Sequence, residues 1–336
     1  MNVGKLWGMR RLANADGFFS MAAIDQRPPI SKFIARKLAI DESTVSDQSI
    51  SELKGMLAEG LAPSASALLV DPNYGYSSAI DYLRPDRGLL ITLEDHRFDD
   101  TDTGRKSECI HNWSVEKIRR IGADAVKLLA WYRPDASPDV LAHQQAFVEQ
   151  AGQDCAKHDI PFIFELLVYP FPTSSGSFTD YLEDPVKQSS HVIDSVKEFS
   201  KPKYKVDLLK LESPIPAPLL PDPESGQAAE IQQTFNAMGQ ACNGLPWVML
   251  SAGAGFPDFA KAMTFAARAG ASGFLAGRAL WADLIEPYPS REAVVSGLKN
   301  IGGSRITELE SIVRQEGQPW RPTYDWSRGL SLSDQY

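Results

Sequence analysis

Eight short apolar runs, separated by amphipathic stretches, recur along most of this chain and limit its fold more than any other feature. The runs span residues 18–25, 66–71, 88–94, 125–132, 161–169, 206–212, 247–253 and 273–278. Each has the length of a strand buried on both faces. Several finish in a polar residue: Asp25, Asp71, Glu94, Glu212 and Arg278. The segments between them have helical character. Residues 49–61 put Ile50, Leu53, Leu57 and Leu61 on one face. Ser137-Pro138-Asp139 is a helix start, opening a segment that ends near His158. Residues 185–199, 228–242 and 257–269 behave similarly, the last stopped by Gly270. A final helical stretch, 290–314, is interrupted around Gly302-Gly303.

Alternating strands and helices with short turns predict a parallel α/β sheet. Eight is the number at which such a sheet closes, so the predicted fold is α/β, a single-domain (β/α)8 TIM barrel over residues 1–336. Residues 1–17 are predicted as an N-terminal helical extension and 318–336 as a C-terminal tail. An open doubly wound sheet is the alternative. It lacks support because the first run ends in Asp-Gln-Arg-Pro-Pro, not in a Gly-rich dinucleotide turn. The proline-rich stretch 213–223 is predicted as a loop over the barrel mouth.

The net charge of −9 and the lack of a long Lys/Arg run argue against nucleic acid as a partner. A small anionic ligand needs only a few local cations and stays open. The three widely spaced cysteines, Cys109, Cys155 and Cys242, fit a reducing compartment. No signal-peptide pattern and no apolar run of about 18 residues is present, so a cytoplasmic protein without membrane contact is expected. Homo-oligomerisation is left open.

In a barrel the C-terminal strand ends converge on the active site. Lys210, within Val-Asp-Leu-Leu-Lys-Leu-Glu, is a charge inside an apolar strand. Alternation puts Leu208, Lys210 and Glu212 on one face and Leu209 and Leu211 on the other, so leucines against helices aim the lysine into the barrel. Desolvation lowers a buried lysine from its usual pKa of about 10.4, supplying a neutral amine that attacks carbonyls. The alternative is an ion pair with Glu212 or another inward carboxylate. Lys127, in Ala-Val-Lys-Leu-Leu, repeats the pattern on the fourth run. It would depress Lys210 further or hold a substrate oxygen or phosphate; otherwise it balances Asp25 or Glu165. Glu165, in Phe-Ile-Phe-Glu-Leu-Leu, should lie between the two lysines, suited to the proton transfers of imine chemistry.

Asp25, Gln26 and Arg27 end the first run as candidate substrate contacts, although Asp25 also reads as a cap on the next turn. Asp71 in Asp-Pro-Asn reads as a turn residue, and Glu94 and Asp95 read either way. The last two runs end near Ser251, Gly253, Gly277 and Arg278, where barrels commonly bind phosphate. The five histidines show no metal-ligand spacing; His96 beside Glu94 and Asp95 is the one place a divalent ion is arguable. His143, His158 and His191 fall in or beside helices and read as surface residues. No Gly-x-Ser-x-Gly elbow or Walker loop occurs. Neither a metal nor a cofactor is expected.

Six of these strand-end motifs, in order from about Gly17 to Trp281, resemble the class I tagatose 1,6-bisphosphate aldolase family. They are Ala-Ile-Asp-Gln-Arg (23–27), Leu-Leu-Val-Asp-Pro-Asn-Tyr-Gly (68–75), Ala-Val-Lys-Leu-Leu (125–129), Val-Asp-Leu-Leu-Lys-Leu-Glu (206–212), Leu-Ser-Ala-Gly (250–253) and Ala-Gly-Arg-Ala-Leu-Trp (276–281). The resemblance implies Schiff-base cleavage of a phosphorylated ketose to dihydroxyacetone phosphate and an aldehyde. It puts the imine on Lys210, acid/base work on Glu165, the second lysine at Lys127 and substrate contacts on Asp25 and Gln26. Phosphate would lie at Ser251, Gly253, Gly277 and Arg278. Related aldolases cleave a sulfonated ketose phosphate, so these motifs leave the C6 group open. The proline-rich 213–223 and the Ser-, Thr- and aromatic-rich 171–184 depart from the tagatose enzymes, and both are expected to overhang the pocket. Rival readings are another imine or electrostatic-lysine barrel enzyme, of isomerase or transaldolase type, and a non-catalytic sugar-phosphate sensor.

Overall fold

A computed structural model describes residues 3–171 and 186–321. The expected overhang 171–184 therefore lies outside the described residues beyond Phe171, as does most of the tail, from 322. Among the described residues there are ten strands: β1 (Phe19–Ala23), β2 (Ala67–Val70), β3 (Gly88–Thr92), β4 (Glu94–Thr101), β5 (Gly104–Cys109), β6 (Ala125–Trp131), β7 (Phe162–Leu167), β8 (Leu208–Leu211), β9 (Trp247–Met249) and β10 (Gly273–Ala276). Eight of them form a closed barrel in the order β1-β10-β9-β8-β7-β6-β3-β2, every neighbouring pair parallel. All eight apolar runs became its strands. Each is buried along its whole length, so the runs are continuous and not alternating.

Alternate side chains divide between two apolar layers. Ala22, Leu68, Leu128, Phe164 and Leu209 face outward onto the helices. Met21, Leu69, Leu90, Ile163, Leu208, Val248 and Leu275 fill the lower barrel. Leu6, Met9 and Leu12 of the helix Val3–Leu12 belong to that inner layer, so the expected extension is the barrel floor. Gly8 allows the approach, since a Cβ there would come within 2.4 Å of the Asp124 carbonyl oxygen. Lys5–Asp207 and Arg11–Asp124 ion pairs, both 2.7 Å, hold the helix in place.

The helices follow their sequence signals closely. Ser46 caps Asp47–Leu61 by accepting the Ser49 N–H. Pro138–Lys157 starts after Ser137 and ends at His158. Phe256–Arg268 is followed by Gly270 in the left-handed region, φ 93°. The interruption near Gly302 is a π-helical stretch, Leu298–Gly302, between Arg291–Gly297 and Gly303–Glu316. No helix among the described residues is long and apolar enough to cross a membrane.

One expectation needs correction. The stretch 213–223 does not cover the mouth: Ala217 and Leu220 turn outward into the helix-facing core, and none of its residues lines the cavity described below. His143, His158 and His191 are half-buried, and His143 Nε2 contacts the Ser107 carbonyl oxygen at 3.0 Å. The antiparallel β4–β5 hairpin was not anticipated, because its charged residues hide the period. It is held by Arg105, 1% exposed, whose guanidinium lies 4.6, 4.6 and 4.8 Å from the Phe98, Trp131 and Tyr169 rings. Arg105 also pairs with Asp100 at 3.2 Å.

Candidate active site

Above the apolar floor the inward positions become charged. Thr92 of β3 pairs in register with Lys127 of β6, Leu129 with Glu165 of β7, and Glu165 with Lys210 of β8. This stagger brings one carboxylate between two amines. Glu165 Oε2 is 2.8 Å from Lys127 Nζ and 2.8 Å from Lys210 Nζ. Lys127 Nζ also meets Asp25 Oδ2 at 2.9 Å and Glu94 Oε1 at 2.5 Å. Thr92 Oγ1 donates to Asp25 Oδ2 at 3.2 Å, and the Leu129 N–H donates to Glu94 Oε2 at 3.0 Å.

Lys127 and Lys210 therefore occupy different surroundings. Lys127 is 2% exposed and faces three carboxylates. Burial alone would lower its pKa, but Asp25, Glu165 and Glu94 together raise it well above the ordinary value. It stays an ammonium ion. Lys210, 4% exposed, meets Glu165 alone among described acidic side chains. Glu212 is not its partner: it pairs with Lys187 at 2.8 Å and accepts the Val168 N–H.

The carboxylates differ too. Burial pushes Glu165 upward, but the Lys127 and Lys210 charges outweigh it and hold the group below its ordinary value. Asp25 follows the same balance and lies far below the carboxylate range. For Glu94 burial wins over Lys127 and the pKa rises. Asp25 and Glu165 are thus ionised, and Glu94 holds a proton more readily.

These groups line a cavity of about 610 Å³, counting space open to solvent, at the C-terminal barrel end. Gln26, Arg27, Asp95 and His96 share its wall with Phe98, Leu129 and Trp131. Phe98, Leu129 and Trp131 were not singled out from sequence. The polar ending of the third run marked Glu94 and left its role open, whereas the aromatics depend on the hairpin.

Ser251, Gly253, Gly277 and Arg278 do not line this cavity, but they lie together on its rim. Gly253 has φ 87°, and a Cβ on it would stand 3.0 Å from the Arg278 guanidinium carbon. The loops after β9 and β10 therefore touch. A Cβ at Gly277 would reach 2.6 Å from Gln26 Nε2, so Gln26 joins rim and cavity. Ser251 is 7% exposed, its carbonyl oxygen accepting the Ala254 N–H at 2.8 Å.

Asp71 is structural, as its turn chemistry indicated. Its Oδ1 accepts the N–H groups of Asn73 and Tyr74 at 3.0 and 2.8 Å. Its Oδ2 pairs with Lys54, both side chains fully buried, and Lys54 donates to the Ile24 carbonyl oxygen at 2.8 Å. That bond ends one residue before Asp25.

Residues 19–283 match the model of the DeoC/LacD family aldolases. The chain belongs to that family. It is 34% identical over 320 residues to tagatose 1,6-diphosphate aldolase of Lactococcus lactis subsp. lactis, covering 93% of this chain and 96% of the relative. A Listeria monocytogenes serotype 4a relative of the same name is 35% identical over 339 residues, covering 98% and 96%. Among solved structures, Plasmodium falciparum fructose-bisphosphate aldolase superposes with TM-score 0.62 at 12% identity, covering 93% and 94%. A Schiff-base-forming fructose-1,6-bisphosphate aldolase superposes with TM-score 0.52 at 16% identity, covering 89% and 100%. At such identities the shared property is the barrel fold of this aldolase family member.

Proposed function

We propose that this aldolase is of class I and cleaves a phosphorylated ketose, tagatose 1,6-bisphosphate-like, to dihydroxyacetone phosphate and an aldehyde through a Schiff base on Lys210. The observation that carries the reading is the single Glu165 oxygen shared by Lys127 and Lys210 at 2.8 Å each. The names of the curated relatives support the substrate class.

The Lys210 amine adds to the ketose C2 carbonyl, forming a C–N bond and a carbinolamine. Glu165, ionised and in contact with Nζ, takes the proton the nitrogen sheds and returns it to the departing hydroxyl. Water leaves and an iminium remains. The C4 hydroxyl then loses its proton to a carboxylate, and the C3–C4 bond breaks. Its electron pair enters the iminium as an enamine while the aldehyde departs. Protonation at C3 and addition of water release dihydroxyacetone phosphate and the free lysine. Lys127, held as an ammonium, keeps Asp25 and Glu165 ionised and aligned and is no nucleophile. Asp25 Oδ2 is occupied by Lys127 and Thr92, and we assign its other oxygen to a sugar hydroxyl. Gln26 is assigned beside it. The C1 phosphate is assigned to Ser251, Gly253, Gly277 and Arg278, where close backbone approach and a guanidinium suit an oxyanion. The barrel, its floor helix and the tail from 318 are taken as one functional unit.

Borohydride reduction during turnover of a ketose 1-phosphate tests this. A stable adduct on the peptide carrying Lys210 is expected, read by mass spectrometry. Cleavage with no adduct on any lysine would overturn the imine mechanism.

A further inference from the structure

We propose that Lys54 and Trp281, neither of which lines the cavity, are positioning residues for Asp25: they hold the two backbone carbonyls before it and so aim its carboxylate at the substrate. This rests on the aldolase reading above, which assigns Asp25 to a sugar hydroxyl. The β1 ladder stops just short of that residue. Its last pairs are Ala22 with Ala276 of β10 and Ala23 with Leu69 of β2, and the Ile24 N–H still donates to the Leu69 carbonyl oxygen at 2.9 Å. From there side chains take over. Trp281 Nε1 donates to the Ala23 carbonyl oxygen at 3.0 Å, and Lys54 Nζ donates to that of Ile24 at 2.8 Å. The two bonds come from opposite sides of β1, which stands between β10 and β2. Trp281 ends the short helix Arg278–Trp281 after β10, whereas Lys54 belongs to Asp47–Leu61, the helix before β2.

Both donors are themselves fixed. Trp281 and Lys54 are buried, and Lys54 is locked by Asp71, which follows β2 directly. The other Asp71 oxygen is held by the Asn73 and Tyr74 N–H groups. A buried carbonyl stripped of its donor is costly, so losing either bond lets the end of β1 move toward a new partner. Asp25 cannot follow that movement freely. Its Oδ2 is tied to Lys127 of β6 and Thr92 of β3, so a backbone shift turns the carboxylate about that oxygen and swings Oδ1. Displacements of about 1 Å are enough to spoil a reacting geometry.

The test is a double-mutant cycle on kcat/KM for a ketose 1-phosphate. Trp281→Phe keeps an aromatic ring and loses the indole donor, and should lower kcat/KM by about 10–100-fold. In an Asp25→Asn background the same substitution should cost less than about threefold, because the residue it serves is already disabled. Lys54→Met combined with Asp71→Asn, which leaves no buried charge unpaired, should behave in the same way. Each loss should be equal on the dephosphorylated analogue, which separates it from a disturbance of Arg278 on the same short helix. Circular dichroism checks folding, and should one variant not fold the other carries the cycle. An unchanged kcat/KM, full additivity with Asp25→Asn, or a loss confined to the phosphorylated substrate overturns the inference and leaves the aldolase reading intact. Absence of both cleavage and a borohydride adduct in the unaltered protein overturns both.

Discussion

Lys210 of β8 and Glu165 of β7 are direct register partners, with Nζ and Oε2 2.8 Å apart, and the same oxygen stands 2.8 Å from Lys127. The two lysines look alike in sequence, each a lone charge in an apolar strand. Three carboxylates around one and a single shared carboxylate at the other make them different reagents.

That asymmetry predicts which lysine carries the adduct. Lys210→Ala should abolish borohydride trapping. Lys127→Ala should slow turnover at least about tenfold, by releasing three buried carboxylates from their counterion, yet still give an adduct at Lys210. A label on Lys127, or one that persists in Lys210→Ala, contradicts the assignment.

Glu165→Gln keeps the shape of the shared partner but removes its ability to take a proton. Turnover should fall by about 10²–10⁴-fold, the usual worth of a positioned acid/base. Single-turnover kinetics should show slower adduct formation as well as slower cleavage. An unchanged rate of adduct formation would assign the carbinolamine proton transfers to another group.

Arg278 lies against Gly253 where the loops after β9 and β10 meet. Arg278→Ala should raise KM for a ketose 1-phosphate by about 10–100-fold, far more than for its dephosphorylated analogue. Equal losses on both substrates would remove the phosphate role.

Imine catalysis by a lysine, as proposed for Lys210, needs no divalent ion, and no cluster of His, Cys, Asp or Glu among the described residues has the makings of a metal site. Full activity after exhaustive EDTA treatment is therefore expected. Loss that zinc or another divalent ion restores would assign the protein to a metal-dependent mechanism.

Lys54 and Asp71 form a fully buried ion pair behind Asp25. Lys54→Met strands the Asp71 carboxylate and should cost about 3–5 kcal/mol of stability, measured by denaturant unfolding. Adding Asp71→Asn should recover much of that loss, because no buried charge is then left unpaired and Oδ1 still accepts the Asn73 and Tyr74 N–H groups. A double variant as unstable as the single one would mean that the bond to Ile24, not the charge balance, matters most.

Much of this architecture was legible before any fold was known. Strand burial and helix boundaries are written in local periods of two and about 3.6, so eight runs sufficed for the barrel and alternation sufficed to aim Lys127, Glu165 and Lys210 inward. The β4–β5 hairpin escaped that reading. Its strands are polar, and what holds it is Arg105 reaching rings on three strands or their extensions: Phe98 on β4, Trp131 on β6 and Tyr169 just past β7. The course of 213–223 escaped for a related reason, since proline content marks a loop but not the surface that receives it.

Which amine meets which carboxylate was also undetermined, since Asp25 and Lys127 are 102 positions apart and meet only through the barrel's stagger. Local sequence sets the face a side chain takes, because that depends on the residue's own backbone. Partners across the barrel depend on closure and register, which belong to all eight strands at once. Chain chemistry thus determined the fold and a set of inward charges; the tertiary structure alone decided that, among the described residues, Lys127 is caged by three acids while Lys210 meets one.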